Sequence, residues 1–277
     1  MNLLSRLLLI STAMLTTPAL ADPNAQQLAA AKEAEARGAE IYAYDQAAWH
    51  STDRFQSDLK KANLTLEQAV DQGVRGYVVE PVEKGQLLAT YYAEKDGQIR
   101  AFARYWVVGS SVRRGGLVKP GDDAALSPLA LKLVGLRGKA VDAARDTKSF
   151  YCGKGVPNTV VLPPRADGTF SIYVMSAATQ SGRFPAGGHS RFDFDATGKL
   201  VAHRAFTRGC IDVDSAGVPK DAAGFAVSHS LDPQPTEVHV FISYNVPVKL
   251  FVIIEPGQDL WEIDRGKVVF KQAGLDK

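Results

Sequence analysis

Four short joints constrain this chain more than anything else in it. Asp96-Gly97 and Asp167-Gly168, and in looser form Thr197-Gly198 and Arg265-Gly266, stand between runs rich in β-branched and aromatic residues. Residues that tolerate a left-handed backbone, set between such runs, make tight hairpin turns whose twist matches the flanking strands. A chain with four of these joints is committed to locally connected antiparallel strands. Their unequal spacing argues against a propeller or solenoid repeat.

The extended runs fall into two groups. Residues 77–79, 87–92 and 99–108 come first, the last alternating on Arg100, Phe102 and Arg104 as a half-buried strand does. Residues 160–162, 170–175, 191–195, 200–206, 238–244 and 248–254 follow. Within the last of them, Leu250-Phe251-Val252-Ile253-Ile254 has no polar face, which predicts an inner strand covered on both sides.

Helix signals are fewer. Residues 25–36 are rich in Ala, Gln, Glu and Lys and run up to Gly38, predicting a first helix that stops there. The aromatic residues Tyr42, Tyr44 and Trp49 that follow suggest a segment docking into the core. Residues 57–72 read as two short helical turns, the second capped by Thr65 and closed near Gly73. Ser127-Pro128 opens another helix, with Ser127 as N-cap and proline at the first position, where its missing N–H costs nothing. The fold class is therefore α+β: mostly antiparallel sheets of hairpin-connected strands, with two or three helices packed against them.

Residues 1–21 read as an export signal. Arg6 precedes an apolar run, and Ala19 and Ala21 fit the small-x-small pattern of a cleavage site, leaving Asp22 as the new N-terminus. Pro18 and the shortness of the run disfavour a retained membrane anchor, and no apolar stretch beyond it has the length of a span. Localisation is then periplasmic or secreted. Residues 22–277 read as one compact unit or as two packed lobes joined at residues 115–127, a stretch rich in glycine with Pro120 and Asp122-Asp123. Lys and Arg number 32 against 30 for Asp and Glu, too even a balance to hold nucleic acid nonspecifically.

An oxidising compartment decides the reading of the only two cysteines, Cys152 and Cys210. They should form one disulfide, closing a loop of 59 residues and stabilising the fold by ~4 kcal/mol in the chain-entropy model. The competing reading makes Cys152 or Cys210 a nucleophile, with His189 as base and Asp193 or Asp53 orienting it.

Other candidate chemistry is sparse. In Gly187-Gly188-His189 the glycines could admit a ligand or another backbone, and His189 could act as base or ligand. His50, in Trp49-His50-Ser51-Thr52-Asp53, could belong to a site or to a polar cluster. No two of the five histidines stand at H-x-H or H-x-x-x-H spacing, so no metal or cofactor is expected from local sequence. The stretch from Asp193 to Gly198 resembles the opening of a calcium loop, but its twelfth position is Arg204, not glutamate. Ser57-Asp58-Leu59-Lys60 matches S-x-x-K without S-D-N or K-T-G downstream, and there is no P-loop or G-x-S-x-G elbow.

The expected function is a noncatalytic binding or envelope-maintenance role with a small-molecule or envelope ligand. The alternatives are a thiol/imidazole hydrolase or transferase, or a binder of sugar or peptidoglycan fragments on Tyr91, Tyr92, Tyr105 and Trp106.

Overall fold

The computed structural model describes residues 22–274 except 84, 150, 153–155, 179–181, 215–216, 218 and 220–221. The proposed leader, residues 1–21, lies outside the described residues. The chain is α+β, with largely antiparallel sheets.

It begins with α1 (Ala25–Lys61), 37 residues and so about 55 Å long. Asn24 starts it through a capping box with Gln27, each side chain bonding the other's backbone N–H at 2.9 Å. The helix does not stop at Gly38. That glycine belongs to a continuous inward stripe that includes Ala31, Ala34, Ile41, Ala48, Phe55 and Leu59. It is small because another helix crosses there: a Cβ on Gly38 would stand 2.5 Å from the Cβ of Val240 and 2.7 Å from the Glu237 carbonyl. α2 (Leu66–Asp71) follows, capped by Thr65 as the sequence predicts.

Next come β1 (Val74–Glu83), β2 (Gln86–Lys95), β3 (Gln98–Val108) and β4 (Ser111–Leu117), an antiparallel meander in that order. Asp96 and Gly97 both take positive φ, 51° and 73°, and turn β2 into β3. β4 occupies the start of the expected linker, so the irregular connection begins only at Val118. The C-terminal half of α1 seals one face of this sheet, with Phe55 and Leu59 in a cluster with Tyr91, Ala103 and Tyr105.

α3 (Pro128–Asp146) opens on Ser127 with Pro128 in its first turn, as expected. Its face of Ala130, Leu133, Leu136 and Ala140 packs with Ile172, Phe192 and Phe194 of a second sheet. That sheet comprises β5 (Asn158–Val161), β6 (Phe170–Met175), β8 (Ser190–Phe194) and β9 (Leu200–Ala205), ordered β5-β6-β8-β9 and antiparallel. Between β6 and β8 in sequence comes β7 (Arg183–Pro185), which pairs with β10 (Asp212–Asp214) in a separate two-stranded sheet.

The last sheet is mixed. β11 (Gly224–His229) lies parallel to β12 (Lys249–Ile254), joined through α4 (Glu237–Asn245), while β13 (Asp259–Asp264) and β14 (Lys267–Gln272) add antiparallel hairpins. α4 replaces the strand expected at residues 238–244. Every residue from Glu237 to Ser243 is buried, so the segment has no polar face from which its period could be read. Thr236 and His239 supply the capping that starts the helix. β12 is an inner strand, as expected, but only alternate side chains are fully covered: Leu250, Val252 and Ile254 are buried, and Phe251 and Ile253 half-buried.

Cys152 and Cys210 form a disulfide, with their Cα atoms 5.6 Å apart.

Candidate functional site

Among the described residues, a cavity of about 840 Å3 lies where α1, β1, β5, β7 and α4 meet the end of β6. Its size falls in the ~300–1,000 Å3 range of small-molecule sites. Helical spacing puts Asp45, Ala48, Trp49 and Thr52 of α1 along one side. Phe184, Val213, Phe241 and Val246 contribute apolar lining, and Tyr77, Asn158 and Arg137 contribute polar lining. Trp49 and Val156 are rim residues, 57% and 82% exposed.

Three polar residues from distant parts of the chain form a network in this cavity. Asn158 donates its amide to Asp45 at 2.7 Å and accepts from the Tyr77 hydroxyl at 3.3 Å. Asp45 is only half-buried by surface area yet surrounded by protein on nearly every side, as a group on a cavity floor is. That burial pushes its carboxyl above the usual carboxylate range, partly offset by the Asn158 and Gln46 amides. Burial likewise raises the Tyr77 phenol, with Asp45 adding to the effect. The four hydroxyls at the cavity are all engaged: Thr52 bonds the Ala48 carbonyl and the Tyr91 hydroxyl, Ser176 donates to the Gly187 and Gly188 carbonyls, Thr159 accepts from Arg137 Nε, and the Tyr77 phenol donates to Asn158. Among the described residues, no hydroxyl or thiol in the cavity is hydrogen-bonded to an imidazole or carboxylate that could activate it.

The residues singled out in the sequence lie around this cavity or away from it. His189 is buried beside the disulfide, with both ring nitrogens occupied by backbone: Nδ1 accepts from Ser176 N–H at 3.3 Å, and Nε2 stands 3.0 Å from the Pro185 carbonyl oxygen. Burial lowers its pKa to about 4. Gly187 and Gly188 admit backbone, not ligand. A Cβ on Gly188 would stand 2.6 Å from Cys152 N, and one on Gly187 would stand 3.1 Å from the Cys210 Cα. His189 and the two cysteines are thus neighbours, linked through Ser176, which accepts from Cys152 N–H at 2.6 Å.

His50 is not part of that group. It stacks on Trp49, ring centres 5.6 Å apart. Asp53 is exposed on α1. Asp193 accepts from Ser171 at 2.7 Å and pairs with Arg191 at 3.0 Å, in a network where Arg191 also pairs with Glu237 at 2.6 Å. That network borders a second, smaller cavity of about 230 Å3 lined by Arg37, Arg165, Arg191 and Arg204. Arg37 pairs there with Glu40, and Arg204 with Asp232. Tyr91, Tyr92 and Tyr105 are core residues, so the cleft expected on them is absent, and Trp106 stacks with Arg114 instead.

Sequence reasoning passes over Asp45, Tyr77, Arg137 and Asn158. The one local signal is Asp45 itself, a carboxylate on the inward side of an apolar helical stretch. Among the described residues, no group of three His, Cys, Asp or Glu side chains converges as a metal site requires, and no helix is long and apolar enough to cross a membrane. Comparison of the chain with protein-family models, curated proteins and solved structures finds no match.

Proposed function

We propose that this protein is exported and binds a small molecule in the 840 Å3 cavity without transforming it. The observation that carries this reading is the cavity's lining: apolar and aromatic walls around a few polar groups fixed by their own hydrogen bonds, with no activated nucleophile among them. The disulfide agrees with an oxidising compartment outside the cytosol. A thiol enzyme would first have to open the Cys152–Cys210 bridge, and the histidine beside that bridge already has both nitrogens engaged.

The test is saturation binding of the neutral fluorophore N-phenyl-1-naphthylamine to the exported protein. The expected result is one saturable site, weakened at least tenfold by Ala177→Trp, which fills the cavity from its wall, with the melting temperature retained. A wild-type protein that binds no probe, or a folded A177W variant that binds it equally well, would refute the reading. Export is checked separately by the N-terminus of the secreted product, expected at Asp22.

A further inference from the structure

We infer that the cavity is built for an apolar-bodied monoanion, a carboxylic acid whose carboxylate sits on the Arg137 guanidinium. The inference rests on the binding role proposed above and goes beyond it to the class of ligand.

Among the described residues, three charged side chains line the cavity: Asp45, Arg137 and Arg183. Two of them are already engaged. Arg183 pairs with Asp214 at 3.3 Å, half-exposed to solvent. Asp45 accepts from the Asn158 amide at 2.7 Å and, through its other oxygen, from the Gln46 amide at 3.5 Å. An ammonium ligand would have to compete with those amides.

Arg137 differs. Its Nε donates to the Thr159 hydroxyl at 2.9 Å, and among the described residues no carboxylate stands within ion-pair distance and its two Nη groups have no hydrogen-bond partner. The group is nonetheless held in place. Its guanidinium carbon lies 6.0 Å from the centre of the Tyr77 ring, and Gly76 leaves room for it, since a Cβ there would stand 3.0 Å from Nη1. A fixed guanidinium with a free fork matches a carboxylate by two parallel hydrogen bonds, and the order already imposed lowers the entropic cost of making them. Phe184, Trp49 and Val156 on the same cavity keep accessible apolar surface and offer it to the apolar body.

Calorimetric titration of the exported protein with decanoate, decanol and decylamine at pH 7.5 separates the possibilities. Decanoate should bind roughly tenfold to a hundredfold more tightly than decanol, the range expected for charge-assisted hydrogen bonds, with decylamine weakest. Shortening the acid should cost roughly fourfold per methylene. Arg137→Gln should erase the preference for decanoate while leaving decanol binding in place, and Arg137→Lys should restore only part of it. Asp45→Asn, which removes a like charge, should tighten decanoate.

Decylamine binding as well as decanoate, or decanoate binding no better than decanol, would overturn the anion assignment without needing any variant. The assignment also fails if R137Q leaves decanoate affinity unchanged, or if N-phenyl-1-naphthylamine binds and none of the three ligands does. If the probe fails as well, the binding role itself falls.

Discussion

Replacing Gly38 by alanine should destabilise the protein, although a glycine inside a helix ordinarily invites that change. Alanine in a helix interior is favoured over glycine by about 1 kcal/mol. Against that gain, the new methyl would stand 2.5 Å from both Cβ and Cγ1 of Val240 and 2.7 Å from the Glu237 carbonyl oxygen. No rotamer relieves a clash with a Cβ and a backbone oxygen, so α1 and α4 must separate, and overpacking of this kind costs about 1–3 kcal/mol. The net expectation is a loss of up to about 2 kcal/mol. The internal control is α3, where a Cβ on Gly135 or Gly138 would meet nothing within 4 Å. There the propensity term acts alone, and alanine should stabilise by about 0.5–1 kcal/mol. Urea unfolding followed by circular dichroism, with the disulfide intact, measures both. For a chain of this length each kcal/mol corresponds to about 2–4 °C in melting temperature. G38A unfolding at or above the wild-type midpoint, or G135A falling alongside it, would refute the reasoning.

The buried histidines predict acid sensitivity. Burial holds His189 at about 4 and His239 at about 3, both below the ordinary 6.5. The fold therefore favours their neutral forms, so stability is full above pH 6.5 and falls as the pH drops towards those values, by about 2 kcal/mol per histidine at pH 5. Urea midpoints at pH 7.5 and 5 should differ less in His239→Gln than in wild type, and equal differences would exclude this cause. Replacing both cysteines by serine should cost about 2–4 kcal/mol and weaken naphthylamine binding, because Ser176 joins Cys152 to the cavity wall. Unchanged thermal stability of that double variant would contradict the expectation. Trp49, 57% exposed at the cavity rim, should change its fluorescence on ligand binding, and Trp49→Ala should lower affinity severalfold with little effect on melting. A silent Trp49 would place the ligand elsewhere.

What the sequence makes legible is local. The Thr65 and Ser127 caps bond the backbone three residues on, so their signals are complete within one helical turn. Asp96-Gly97 carries its turn geometry in two residues. Gly38 reads wrongly as a stop because a glycine that ends a helix and one that admits a neighbouring helix look alike until the neighbour is known. α4 reads wrongly as a strand for a related reason: burial on all sides removes the polar face that marks a helical period. The cavity is the least visible feature. Its network joins Asp45 to Asn158 across 113 positions and Tyr77 to Asn158 across 81, and each partner looks ordinary in its own segment. Gly187-Gly188 is legible as a place of close approach, but not which chain segment approaches.

That close approach bears on how the chain oxidises. With Gly187 against Cys210 and Gly188 against Cys152, both cysteine-bearing segments lie on this dipeptide when the sulfurs are joined. Even a methyl group at either position would press on a cysteine-bearing segment, 2.9 Å from Ile211 N beside Cys210 or 2.6 Å from Cys152 N, so the bridge as built depends on two residues without side chains. With no third cysteine to capture either sulfur, anything that displaced these segments would leave each thiol without another partner to take.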